Sequence, residues 1–220
     1  INLRVATSDC EWPPKNLPDG PLVMIANHPF GIGDGLAILS LAEQLDRPYR
    51  ILINNDLLKV PEVRPFSLPV DFEETAEALR TNMRTRQEAL RLLKEGVTII
   101  VFPGGGVATA RRPFGRAEEL PWKTFTAKMI RSAKATVLPV YFEGQNSPLF
   151  HFASRFSLTL RLSLLVREFR RIVGSVISVR VGEPVPFEDL AMLGDRKEVI
   201  DYLQKRVMAL EPADRPRSGR

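Results

Sequence analysis

The chain carries a single cysteine, Cys10, in 220 residues. One thiol cannot close an internal disulfide, and no cysteine pair has metal-ligand spacing, so a disulfide framework and a cysteine zinc site are both excluded. That usage fits a reducing cytosol. No uninterrupted apolar run approaches the roughly 18 residues that span a bilayer, and no signal-peptide pattern is visible. The one glycine cluster is not followed by Gly-Lys-Ser/Thr, which excludes a nucleotide-binding P-loop. A hydrolase of the elbow type lacks its serine or cysteine nucleophile. Basic residues are not interleaved with aromatics as a base-stacking platform needs, so no nucleic-acid partner is expected.

What is present is enough apolar material for a real core: 44% of residues are hydrophobic. Lysine and arginine number 31 against 26 acidic residues, a net charge of +5 that suits an acidic partner. Strand-like and helix-like segments alternate. Leu22–Ala26 is a short apolar run ending at a loop, and 35–45 reads as a helix; 50–53 is a second strand. The clearest helix is 73–94, with Ala76, Leu79, Met83, Leu90 and Leu93 near one face. Gly96 stops it, and 97–102 is an apolar run of the kind buried on both faces of a sheet. A helix over 122–134, strands at Thr136–Phe142 and Val176–Val181, and a helix from about 196 to 210 follow. With no repeat and no dividing linker, the expectation is one α/β domain over 1–210. It has a mostly parallel or mixed central sheet flanked by helices, and 211–220 is a flexible tail.

Two loops carry the chemistry. Asn27-His28-Pro29-Phe30-Gly31-Ile32-Gly33-Asp34 leaves the first buried strand and opens a helix. Ligands of open α/β sheets bind at the carboxyl ends of strands. A histidine there can serve as general base, and a carboxylate folded back by Pro29, Gly31 and Gly33 can orient it. The second loop, Phe102-Pro103-Gly104-Gly105-Gly106, leaves another buried strand and should emerge on the same edge. Its glycines expose backbone N–H groups suited to an anion, with Arg111 and Arg112 close behind.

Asn-His-Pro with a downstream aspartate, then a long helix, a buried strand and Phe-Pro-Gly-Gly, resembles the glycerolipid acyltransferase superfamily, which includes lysophosphatidate acyltransferases. Val137-Leu138-Pro139-Val140-Tyr141-Phe142-Glu143-Gly144-Gln145-Asn146-Ser147-Pro148-Leu149-Phe150 is similar to its bacterial ornithine-lipid and hemolysin-like branch. The resemblance implies acyl transfer from an acyl carrier protein or coenzyme A thioester to a lysolipid acceptor, without bound cofactor or metal. It implies His28 as base, Asp34 as its partner, and Asn27 with the 102–106 loop in substrate binding. Two departures stand out. One more residue separates His28 from Asp34 than is usual in the family, and Gly104 stands where a glutamate is common. An acceptor of the lyso-ornithine or other lyso-aminolipid type, a lysophosphatidate-type O-acyltransferase, and a catalytically silent lipid- or carrier-binding protein remain open readings.

Residues 149–173 mix apolar side chains, Phe152 and Phe156 among them, with arginines such as Arg161. Such a helix or helix pair can enter a lipid interface while its arginines meet phosphates. The expectation is a cytoplasmic protein, peripheral on the inner face of an anionic membrane, with an acidic acyl carrier protein as partner. His151 has no partner in the sequence and is expected to be structural.

Overall fold

A computed structural model describes residues 3–8, 11–15, 17–112, 114–154 and 158–213. Sixteen elements follow in order: β1 Arg4–Thr7, β2 Leu22–Ala26, α1 Ile32–Glu43, β3 Tyr49–Asn54, β4 Ser67–Val70, α2 Ala76–Lys94, β5 Thr98–Val101, β6 Thr109–Ala110, β7 Ala117–Glu118, α3 Phe125–Ala133, β8 Thr136–Phe142, α4 Pro148–Ala153, α5 Leu158–Ile172, β9 Val176–Val181, α6 Phe187–Ala191 and α7 Arg196–Met208. Two 3-10 turns, Asn55–Lys59 and Pro61–Phe66, bridge β3 to β4.

Seven strands form one mixed sheet in the order β1-β9-β8-β2-β5-β3-β4. β8, β2, β5, β3 and β4 run parallel. β9 reverses against β8, and β1 lies parallel to β9. β2 sits at the centre, and all five of its residues are buried, as its unbroken apolar run requires when both faces are covered. One layer of core, with Val23, Ile25, Ile99 and Val137, lies under α2, α3 and α7. The other, with Leu22, Met24, Ile100 and Phe142, lies under α1. Each such side chain contributes about 2 kcal/mol on burial.

The strands and helices stand close to where the apolar pattern puts them, and 149–173 resolves into the pair α4 and α5. The buried face of α2 differs. It is Ala78, Thr85, Ala89, Leu92 and Leu93, while Leu79 and Met83 are exposed. Small residues let the helix axis approach the sheet, and the Thr85 hydroxyl donates to the Pro69 carbonyl at 2.6 Å. Size at the contact, rather than hydrophobicity, selects the face. Residues 214–220 of the expected tail lie outside the described residues; Glu211, just before them, pairs with Arg116. Among the described residues, no helix is long and apolar enough to cross a membrane.

Candidate active site

The site begins where β2 stops. Asn27 is buried, and its side chain continues the sheet ladder after the backbone turns away. Its amide nitrogen donates to the Phe142 carbonyl at 3.0 Å, and its oxygen accepts the Phe142 N–H at 2.7 Å. This fixes the exit of the chain, so the next residue, His28, emerges at the carboxyl edge between β5 and β8. The His28 N–H donates to Glu119 Oε1 at 2.8 Å, and its carbonyl accepts the Ala108 N–H at 2.8 Å. The imidazole stacks on Phe102, with centroids 4.1 Å apart at 25°.

Asp34 returns to the ring from the first turn of α1. Its side chain is fully buried, and Oδ2 accepts the N–H groups of Phe30 at 2.8 Å and Gly31 at 2.9 Å. The same oxygen lies 2.9 Å from His28 Nδ1. The approach is oblique: the distance is that of an ion pair, but Nδ1 does not meet hydrogen-bond geometry and Asp34 Oδ1 has no partner among the described residues. With Nδ1 turned to Asp34, Nε2 is the ring nitrogen left for a substrate.

The turn between His28 and Asp34 pivots at Gly31. Its φ of +81° is left-handed, and a Cβ there would lie 3.0 Å from both Leu165 and Val107. The loop 102–106 folds back beside His28. Gly105, at φ +70°, closes a turn by donating to the Phe102 carbonyl at 3.0 Å. The Pro103 carbonyl accepts the Lys123 N–H at 3.0 Å. Three charged side chains border the three glycines. A Cβ on Gly104 would stand 3.5 Å from Glu119 Oε2, one on Gly105 3.2 Å from Lys123 Nζ, and one on Gly106 3.8 Å from Arg161 Nη2.

The structure therefore gathers His28, Asp34, Asn27 and Phe102 to Gly106 at one edge. Arg111 and Arg112 stand elsewhere: both are exposed, and Arg111 pairs with Glu118 across the β6–β7 hairpin at 3.1 Å. The basic groups beside the glycines are Lys123 and Arg161; the sequence pattern assigned Arg161 to a lipid-facing surface. Arg161 is half-buried, donates to the Val107 carbonyl at 2.8 Å, and lies over the Phe150 ring at 5.9 Å. Burial lowers its pKa, and it has no carboxylate partner among the described residues. Phe152 is half-exposed on α4, and Phe156 lies outside the described residues. His151 is buried on Phe150, accepts the Ala110 N–H at 3.3 Å, and has its pKa pushed down by burial.

Glu119 was not legible in the sequence. It follows β7 on the return of a hairpin, and only the fold carries it to His28. Burial pushes its pKa up, against the opposing pull of the His28 N–H, the His28 charge and the Trp122 indole.

This architecture is shared with a solved structure. The 1-acyl-sn-glycerophosphate (LPA) acyltransferase PlsC from Thermotoga maritima superposes with a TM-score of 0.58 over 95% of this chain and 70% of its own, at 19% identity. An acyltransferase family model matches residues 6–214, and the chain belongs to that family. Two curated relatives, lyso-glycine lipid O-acyltransferases from Phocaeicola vulgatus and Bacteroides thetaiotaomicron, are each 27% identical over 187 and 183 residues. Those matches cover 79% of this chain but only 63% and 64% of the relatives' length.

Proposed function

We propose that the protein transfers a fatty acyl group from a thioester to the hydroxyl of a lysolipid, with His28 as general base. The observation that carries this reading is the His28–Asp34 pair at the carboxyl edge of the sheet beside a glycine-rich backbone turn. His28 Nε2 takes the proton of the acceptor hydroxyl as its oxygen attacks the thioester carbonyl. The tetrahedral intermediate collapses by breaking the C–S bond, and the leaving thiolate takes the proton back from the imidazolium. Asp34 offsets the imidazolium charge while it exists. The N–H groups of Gly104 and Gly106, without partners among the described residues, are suited to the oxyanion. No covalent acyl-enzyme is needed.

The acceptor we propose is a lysolipid with an anionic headgroup. Arg161 supports this, since a half-buried guanidinium without a carboxylate is placed for a carboxylate or phosphate. The names of the curated relatives favour a lyso-aminolipid over lysophosphatidate. For the donor we propose an acyl carrier protein or coenzyme A thioester. A basic groove of about 600 Å³ between α3 and α7, lined by Lys128, Arg131, Arg196 and Lys197 with Asp195, favours the acidic carrier. The groove holds none of the catalytic side chains, so it concerns docking alone. Purified His28→Ala should lose transfer by a factor of about a thousand with its fold intact. Near wild-type transfer by this variant sinks the reading.

A further inference from the structure

We propose that Glu119 is a positioning residue of this reaction: its carboxylate fixes the backbone of His28 and supplies a second negative charge to the imidazolium. The proposal rests on His28 acting as base and deepens that reading. Its first support is geometry. Glu119 is the only side chain among the described residues that accepts the N–H of His28, at 2.8 Å. Its other oxygen lies 3.4 Å from Trp122 Nε1 and faces Gly104, where a Cβ would come within 3.5 Å of it. A bare Cα at position 104 thus leaves room for a carboxylate arriving from a different loop.

The second support is electrostatic. Two carboxylates flank one imidazole, Asp34 at Nδ1 and Glu119 at the backbone. Both interact with His28 and repel one another. Lys123 and Arg161 are the cations bordering the same loop, on the far side of Gly105 and Gly106. A surface carboxylate needs no such place. A half-buried one such as Glu119 costs desolvation, and a cation forming nearby offsets that cost. The imidazolium of the transition state is that cation. The two carboxylates divide the backbone between them: Asp34 holds the Phe30 and Gly31 N–H groups and Glu119 holds that of His28.

Glu119→Gln isolates the charge. The amide oxygen can still accept the His28 N–H, while the negative charge is gone. The chain has only two histidines, His28 and His151, so imidazole C–H resonances titrate them separately in the whole protein without any substrate. In Glu119→Gln the His28 resonance should titrate at lower pH than in the wild type, as expected when a nearby opposite charge is removed. Buried His151 serves as the internal control. The acid limb of kcat/KM should move to lower pH by the same amount. In the same variant kcat should fall about tenfold, with KM for acceptor and donor nearly unchanged. Glu119→Asp, which keeps the charge, should retain most of the wild-type midpoint. An unmoved His28 midpoint in a folded Glu119→Gln, or wild-type turnover, overturns the proposal. If that variant does not fold, the wild type decides. Protonation of Glu119 must then appear as a second, acidic inflection in the His28 resonance, and a single inflection overturns the proposal. Failure of the catalytic reading itself would appear differently, as transfer that survives His28→Ala.

Discussion

At the scale of single residues, Asp34 has two tasks that one substitution separates. In the proposed reaction it orients His28, and it accepts the two N–H groups of Phe30 and Gly31 that hold the loop before α1. Asp34→Asn keeps an oxygen for the backbone but loses the charge at Nδ1. Activity should drop about a hundredfold or more, while the melting temperature falls only by a few degrees. Equal collapse of both would mean that the loop, rather than the charge, is what Asp34 provides. Asn27, His28 and Asp34 were legible because they sit within eight consecutive residues between a buried strand and a helix. Glu119 was not, since nothing in Ala117-Glu118-Glu119 distinguishes one acid from the next. Glu118 turns outward to Arg111 and Glu119 inward to His28, a difference set by the pleat of a two-residue strand.

At the scale of elements, α4 carries His151, the histidine outside the proposed catalytic pair. His151 is held below its ordinary pKa by burial, so the native state binds its proton less readily than the unfolded chain does. Stability from this group is therefore full above the unfolded value of about 6.5 and is lost as pH falls below it. Thermal melts at pH 7 and pH 5 should show a larger drop for the wild type than for His151→Gln. An identical drop would assign acid lability to other groups. The same scale explains which elements the sequence hid. β1 and β4 are four residues long and only half-buried, too short to build a period. The face of α2 was misread in its first half, where Ala78 and Thr85 rather than Leu79 and Met83 turn inward; Leu93 was read correctly. The continuous runs of β2, β5 and β8 needed no such subtlety.

At the scale of the molecule, α4 and α5 combine basic charge with exposed apolar side chains. α5 presents a groove of about 420 Å³ lined by Ser163, Val166, Arg167, Arg170 and Arg171. Leu149, Phe152, Leu160 and Val173 are exposed on and beside α4 and α5. We expect the protein to co-sediment with anionic vesicles in preference to neutral ones, and less so as salt rises, because exposed charges are screened over about 8 Å at physiological salt. Binding that ignores vesicle charge would leave the arginines without this role. The net charge of +5 announced an acidic partner but not where it binds.

The outer edge of the sheet sets a timetable for synthesis. Arg4 pairs with Val176 and Thr7 with Val179, so β1 must wait for β9 to be made. At 5–20 residues per second on the ribosome, that wait is roughly ten to thirty seconds. Meanwhile β2, β5, β3 and β4 can already associate, with α1 and α2 to cover them. The nascent chain can thus assemble the layers under the loops at 27–34 and 102–106 while β1 is still unpaired. A chaperone or an intruding strand would find its opening at that waiting edge.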